Sequence, residues 1–188
     1  MPVTKPTRAD LEAAASNTIP DVIAPHLQVL FSGINPGLYS AFTGFHFARP
    51  GNRFWPTLYA SGFTDRLLKP SEQTELLARR IGITNLAARA SATADELTPQ
   101  ELIEGGKILA AKIETYRPKV LAILGISAYR TAFAKPRALL GRQPEPIGSA
   151  ILWVMPNPSG LNAHYSAQAL AQVFREFRLT IENTSSSL

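Results

Sequence analysis

Two short loops are unusual clusters of turn-forming residues. One is Gly33-Ile34-Asn35-Pro36-Gly37. The other is Met155-Pro156-Asn157-Pro158-Ser159-Gly160-Leu161. Glycine, proline and asparagine dominate strand-to-helix turns for purely conformational reasons, so each loop alone has a plain structural reading. Neither contains GxGxxG or GxxxxGK[ST], which disfavours a dinucleotide or nucleoside-triphosphate site. Between them lies Thr43-Gly44-Phe45-His46-Phe47-Ala48-Arg49-Pro50-Gly51-Asn52-Arg53-Phe54-Trp55, where aromatics alternate with His46, Arg49 and Arg53. Stacking faces interleaved with cations suit a nucleic-acid base and its phosphates. Phe54 and Trp55 read as the start of a helix packed on a sheet, and Phe47, in the looplike stretch before Pro50, reads as the stacking surface. Cysteine is absent. Disulfides, thiolate zinc sites, iron–sulfur clusters and a cysteine nucleophile are thereby excluded. With three scattered histidines, His26, His46 and His164, no metal and no cofactor are expected.

Both loops follow apolar runs that read as strands. The runs are Gln28–Ser32, Ile81–Asn85, Val120–Leu124 and Ile151–Met155. Their near-continuous hydrophobicity suits strands buried on both faces of a parallel sheet. Helical patterns separate them. Ser71 opens a segment with acids early and Arg79-Arg80 late. Thr98-Pro99-Gln100-Glu101 has capping-box form, and Leu102, Leu109, Ile113 and Tyr116 follow at helical spacing as far as Pro118. Leu170, Val173, Phe174 and Phe177 form a stripe after Ser166. Strands alternating with helices imply an α/β fold with a mostly parallel sheet. In such a sheet the carboxyl ends share one edge, where ligands bind, so loops about 120 residues apart can line one cleft. The chain has 188 residues and fits a single domain, with a core over about 22–180 and frayed ends over the first eight or so residues and Asn183–Leu188. Its net charge of +5 favours a polyanionic partner. No apolar run approaches the roughly 20 residues of a membrane span, and the N-terminus lacks a secretory signal pattern. A cytoplasmic protein is expected, nucleoid-associated if bacterial.

Taken together, GINPG, then GFHFARPGNRFW, then PNPSGL resemble the mismatch-specific uracil-DNA glycosylases and their thymine-DNA glycosylase relatives. The resemblance runs from about Val22 to Phe177 and includes GITNL and the EGGKIL helix. It implies a three-layer α/β/α fold with a short, mostly parallel central sheet. It also implies base flipping, in which the target nucleotide leaves the duplex for a protein pocket. On this resemblance Asn35 is the catalytic asparagine, its amide positioning the attacking water. Phe47 stacks on the flipped base, and main-chain groups around Ile34 and Phe47 read its polar edge. Gly37 belongs to the same substrate-binding loop. Asn85 matches a base-contacting position, and Ser40 and His46 match the pocket wall near C5 of the pyrimidine. The loop Asn157–Leu161, with Ser159 and Gly160, enters the DNA, and Leu161 fills the gap left by the flipped nucleotide. Some relatives carry arginine at or just beyond the wedge, where this chain has Asn162-Ala163-His164, and some carry lysine where Asn85 stands. Asp95, in the polar stretch after GITNL, is carried as an auxiliary base against the plainer reading of an exposed acid before a helix. The implied partner is double-stranded DNA with a G·U or G·T mismatch, bound by a monomer. A non-catalytic binder of mismatched or damaged DNA is the competing class, and Asn35 discriminates, since a binder has no need to hold a water there.

Overall fold

The computed structural model describes residues 5–185. Five strands form one sheet: β1 (Val29–Gly33), β2 (Ile81–Asn85), β3 (Val120–Leu124), β4 (Gly141–Arg142) and β5 (Ile151–Met155), in the order β2-β1-β3-β5-β4. All neighbours are parallel except β4, which runs antiparallel to β5. Three of the four apolar runs coincide with their strands, and β1 lies one residue further along than its run. The edge strand β4 has no counterpart in the hydrophobic pattern. It is two residues long, with Gly141 half-buried and Arg142 exposed.

Successive residues on β1 face opposite sides. Val29 and Phe31 join Ile81, Ile83, Val120 and Ala122 beneath α3 (Phe54–Ala60) and α6 (Ala167–Ser185). Leu30 joins Leu121, Ile123, Leu152 and Val154 beneath α4 (Pro99–Tyr116) and α5 (Ile126–Ala132). Helices therefore cover both faces, giving the three-layer α/β/α arrangement that a doubly buried sheet requires. Phe31 anchors the first layer, meeting Phe54 edge-on at 5.6 Å and stacking on Phe174 at 5.9 Å. Each fully buried phenyl group contributes about 1.5–3 kcal/mol.

Helix α4 begins where its sequence signal places it, with Thr98 as N-cap in a reciprocal capping box with Glu101. Its paired glycines have a packing role. A Cβ on Gly105 would stand 2.2 Å from the carbonyl oxygen of Leu86, and one on Gly106 would stand 3.0 Å from that of Ala132. The helix thus lies directly against the chain leaving β2, which leads into the site.

The helical segment expected from Ser71 is a 3-10 helix, Pro70–Arg79. Its buried residues Gln73 and Leu76 are three apart, a spacing that three residues per turn places on one side. α1 (Arg8–Ala13) starts behind a Thr7–Asp10 capping box, and α6 extends to Ser185, its late turns held by buried Ile181. Residues 1–4 and 186–188 lie outside the described residues. Among those described, no helix is long and apolar enough to cross a membrane.

Candidate active site

The carboxyl ends of β1 and β2 meet with Gly33 opposite Asn85. A Cβ on Gly33 would collide with Asn85 Oδ1 at 2.5 Å and press on the Phe47 ring at 3.2 Å. Only glycine lets both side chains close over the strand end.

Past Gly33 the chain turns through Ile34, Asn35 and Pro36 into α2 (Leu38–Thr43), with Gly37 as N-cap in an extended conformation. The segment after β2 runs beside this turn. Leu86 and Ala87 donate main-chain bonds to Gly33 and Ile34, and Ser91 donates to Pro36. Asn35 is held from that side. Its Nδ2 donates to the Arg89 carbonyl at 2.8 Å and to Ser91 Oγ at 2.7 Å. The Ser91 hydroxyl in turn donates its hydrogen to the Thr93 carbonyl at 2.6 Å. A carbonyl only accepts, so the directions along this chain are fixed. Both amide hydrogens of Asn35 are committed, and Oδ1 is left as an acceptor with no protein donor among the described residues. Arg89 is itself fixed by an ion pair to Glu101. That guanidinium, assisted by the Thr98 N–H, pulls the Glu101 carboxyl down to about 2.

Phe47 sits on the opposite side of Gly33 in the left-handed region, with φ of 54°. An aromatic residue rarely adopts that conformation, and such strain is typical of functional sites. Its half-buried ring stacks on buried Phe54, with centroids 4.1 Å apart. The turn is braced on both flanks of Phe47. The His46 N–H donates to the buried Gln73 Oε1, the His46 carbonyl accepts from Trp55 Nε1, and Ala48 N–H donates to Ser40 Oγ. The main-chain N–H groups of Ile34 and Phe47 meet no acceptor among the described residues.

His46 is 2% exposed. Its Nε2 faces the Pro20 carbonyl at 2.9 Å and therefore carries the proton, which leaves Nδ1 to accept from Asn85 Nδ2 at 3.4 Å. That contact turns Asn85 Oδ1 toward Gly33. Burial pushes the imidazole below its usual range, opposed by the Pro20 carbonyl and the Asp21 charge. His46 is thus a buried, neutral imidazole and not an exposed cation. Ser40 is buried as well.

The loop after β5 folds on itself. Asn157 Oδ1 accepts from the Ser159 N–H, the Asn157 carbonyl accepts from Asn162 Nδ2, and Ser159 Oγ accepts from the Leu161 N–H. Leu161 is 63% exposed. It does not fold back into the core. Gly160 abuts the neighbouring turn so closely that a Cβ would lie 2.5 Å from the Gly51 carbonyl oxygen. A cleft of about 220 Å³ opens between the two turns, lined by Arg49, Asn52, Ser159 and Leu161 among others. The exposed Arg49 guanidinium has no hydrogen bond or ion pair among the described residues, whereas both terminal nitrogens of Arg53 donate to loop carbonyls. Of the cations read from this segment, Arg49 alone is available to a phosphate. Asp95 lies exposed in the 3-10 turn Ala94–Glu96, without a hydrogen bond to Asn35, Ser91 or Thr93.

The uracil DNA glycosylase superfamily model matches residues 20–178. The chain belongs to that superfamily. Its fold is similar to the solution structure of a candidate uracil DNA glycosylase from Methanosarcina acetivorans, with a TM-score of 0.57 and 18% identity over 86% of this chain and 98% of that one. Members of the superfamily are DNA glycosylases.

In this superfamily member, sequence reasoning placed Asn35, Phe47 and Leu161 at one sheet edge but missed their supports. Ser91 and Arg89 orient Asn35, Gly33 admits Phe47 and Asn85, and Arg53 holds the loop of Leu161. The one available signal was the glycine at the end of β1.

Proposed function

We propose that this protein is a monofunctional DNA glycosylase. It takes uracil, and thymine, out of G·U and G·T mismatches in double-stranded DNA and hydrolyses the N-glycosidic bond, leaving an abasic site. The observation that carries the reading is the fixed amide of Asn35. With both N–H groups engaged, its Oδ1 accepts one hydrogen of a water and leaves an oxygen lone pair directed at the sugar. Bond breaking places positive charge on the sugar and negative charge on the departing base. The unpaired N–H groups of Ile34 and Phe47 are donors suited to the base oxygens as that charge grows. Phe47 supplies a stacking face, Ser40, His46 and Asn85 form the neutral wall, and Gly37 shapes the turn. An amide cannot accept a proton as a carboxylate does, so the catalyst is slow by design. Asp95, exposed beyond Thr93, is the auxiliary base of this scheme.

DNA is engaged by Asn157, Ser159 and Gly160, with exposed Leu161 entering the stack in place of the extruded nucleotide. Extruding a mismatched base costs less than extruding a paired one, which favours mismatched sites. The protein acts as a single glycosylase domain and as a monomer, in the cytoplasm. Incubation with an end-labelled G·U duplex followed by alkaline cleavage tests the reading. Strand scission at the uracil is expected, and an intact strand with retained DNA binding would leave only a non-catalytic binder.

A further inference from the structure

Arg53 is placed unlike any other arginine described. It precedes Phe54, whose ring supports Phe47, yet every hydrogen bond it donates goes to the loop after β5. Its main-chain N–H donates to the Pro158 carbonyl at 3.0 Å. Its guanidinium donates to the carbonyls of Ser159 at 2.8 Å, Asn162 at 2.9 Å and Tyr165. Ser159 and Asn162 flank the Gly160-Leu161 tip, so the two bonds straddle the exposed leucine. No carboxylate pairs with Arg53 among the described residues. Its charge is balanced by carbonyl dipoles alone, and its Nε is buried without a partner.

The loop has no regular secondary structure from Pro156 to Ser166. Its own side chains tie Asn157 to Ser159 and Asn162 but leave the tip unattached to the body of the protein. Arg53 and the Gly51–Gly160 contact supply that attachment. A guanidinium presents a rigid planar fork of donors, which an ammonium on a flexible stem cannot reproduce.

We infer that Arg53 is a positioning residue that sets Leu161 for entry into the duplex and ties the wedge to the segment carrying Phe47. This rests on the glycosylase reading of the site. Arg53 touches no reacting atom in this scheme; it acts through Leu161. The consequence is non-additivity, because removing the wedge removes the reason to hold it.

The test is a double-mutant cycle on single-turnover uracil release from a G·U duplex, using Arg53→Lys, Leu161→Ala and the double variant. Arg53→Lys is expected to slow release roughly 10- to 100-fold, the scale of a misplacement of about 1 Å. Duplex affinity, which comes largely from phosphate contacts, should stay within about threefold. The double variant should be no slower than Leu161→Ala alone, within about twofold. Multiplying effects, or a parent-like rate for Arg53→Lys, would overturn the inference. Arg53→Gln, a second variant without the charge, should behave like Arg53→Lys. Loss of folding in both variants would assign Arg53 to stability and also overturn it. Absence of uracil release by the parent protein would instead refute the glycosylase reading itself.

Discussion

Replacing Ser91 with alanine isolates the orientation of Asn35 from its presence. Ser91 is 3% exposed, and its Oγ accepts one of the two Asn35 N–H groups at 2.7 Å. The other N–H keeps its bond to the Arg89 carbonyl at 2.8 Å. Ser91→Ala therefore removes one of two restraints and leaves a hydrogen facing a methyl group. A neutral hydrogen bond of this kind contributes about 0.5–1.5 kcal/mol net. If that energy holds the amide in its reactive orientation, the chemical step slows by roughly two- to twelvefold, since about 1.4 kcal/mol is a factor of ten. The exposed Thr93 carbonyl loses its donor but remains open to water. The melting temperature should then fall by only about 2–4 °C per kcal/mol lost, as for a domain of this size. Single-turnover excision on a labelled G·U duplex, with a melting curve beside it, reads both quantities. A parent-like rate would show that the Ser91 bond does not orient Asn35. A loss as deep as that of removing Asn35 would show that Ser91 acts directly in the reaction.

Three further outcomes follow from the same geometry. Phe47→Ala should lower base capture by roughly 5- to 150-fold, since a base stacked on an aromatic ring contributes about 1–3 kcal/mol; a folded variant losing less than twofold would return Phe47 to a packing role. Arg49→Gln should reduce the slope of log affinity against log salt by about 0.9 if its guanidinium meets one phosphate, and an unchanged slope in a duplex titration would remove that contact. Burial holds His46 below the ordinary imidazole value of 6.5. The unfolded chain therefore binds more protons in the window just below 6.5, and stability drops as pH falls through it. Urea unfolding across that window should show His46→Gln lacking this part of the pH dependence, whereas equal dependence in both proteins would contradict a buried neutral histidine.

The parallel strands were legible because each is buried on both faces and reads as an unbroken apolar run, as at Val120–Leu124. Helix α4 was legible from Thr98-Pro99-Gln100-Glu101, where the capping chemistry is local. The site loops were legible for the same reason, since turn residues cluster in sequence. Strand β4 was not, because two edge residues carry no period. The supports of the site were hidden by distance along the chain. Ser91 lies 56 residues from Asn35, and Tyr165 lies 112 from Arg53. Leu161 and His46 show the limit from the other side. Composition alone offers a core place for Leu161 and a cationic one for His46, and the structure exposes the leucine and buries the histidine.

In the proposed reaction the Asn35 amide holds the water that breaks the glycosidic bond, and Asn35→Ala removes that amide. Uracil release from a G·U duplex under single-turnover conditions should fall about 100- to 1,000-fold, the scale of losing one positioned polar group at a reacting centre. Affinity for the same duplex should remain close to that of the parent protein, because phosphate contacts carry most of it. Near-parental excision by Asn35→Ala would remove Asn35 from the reaction.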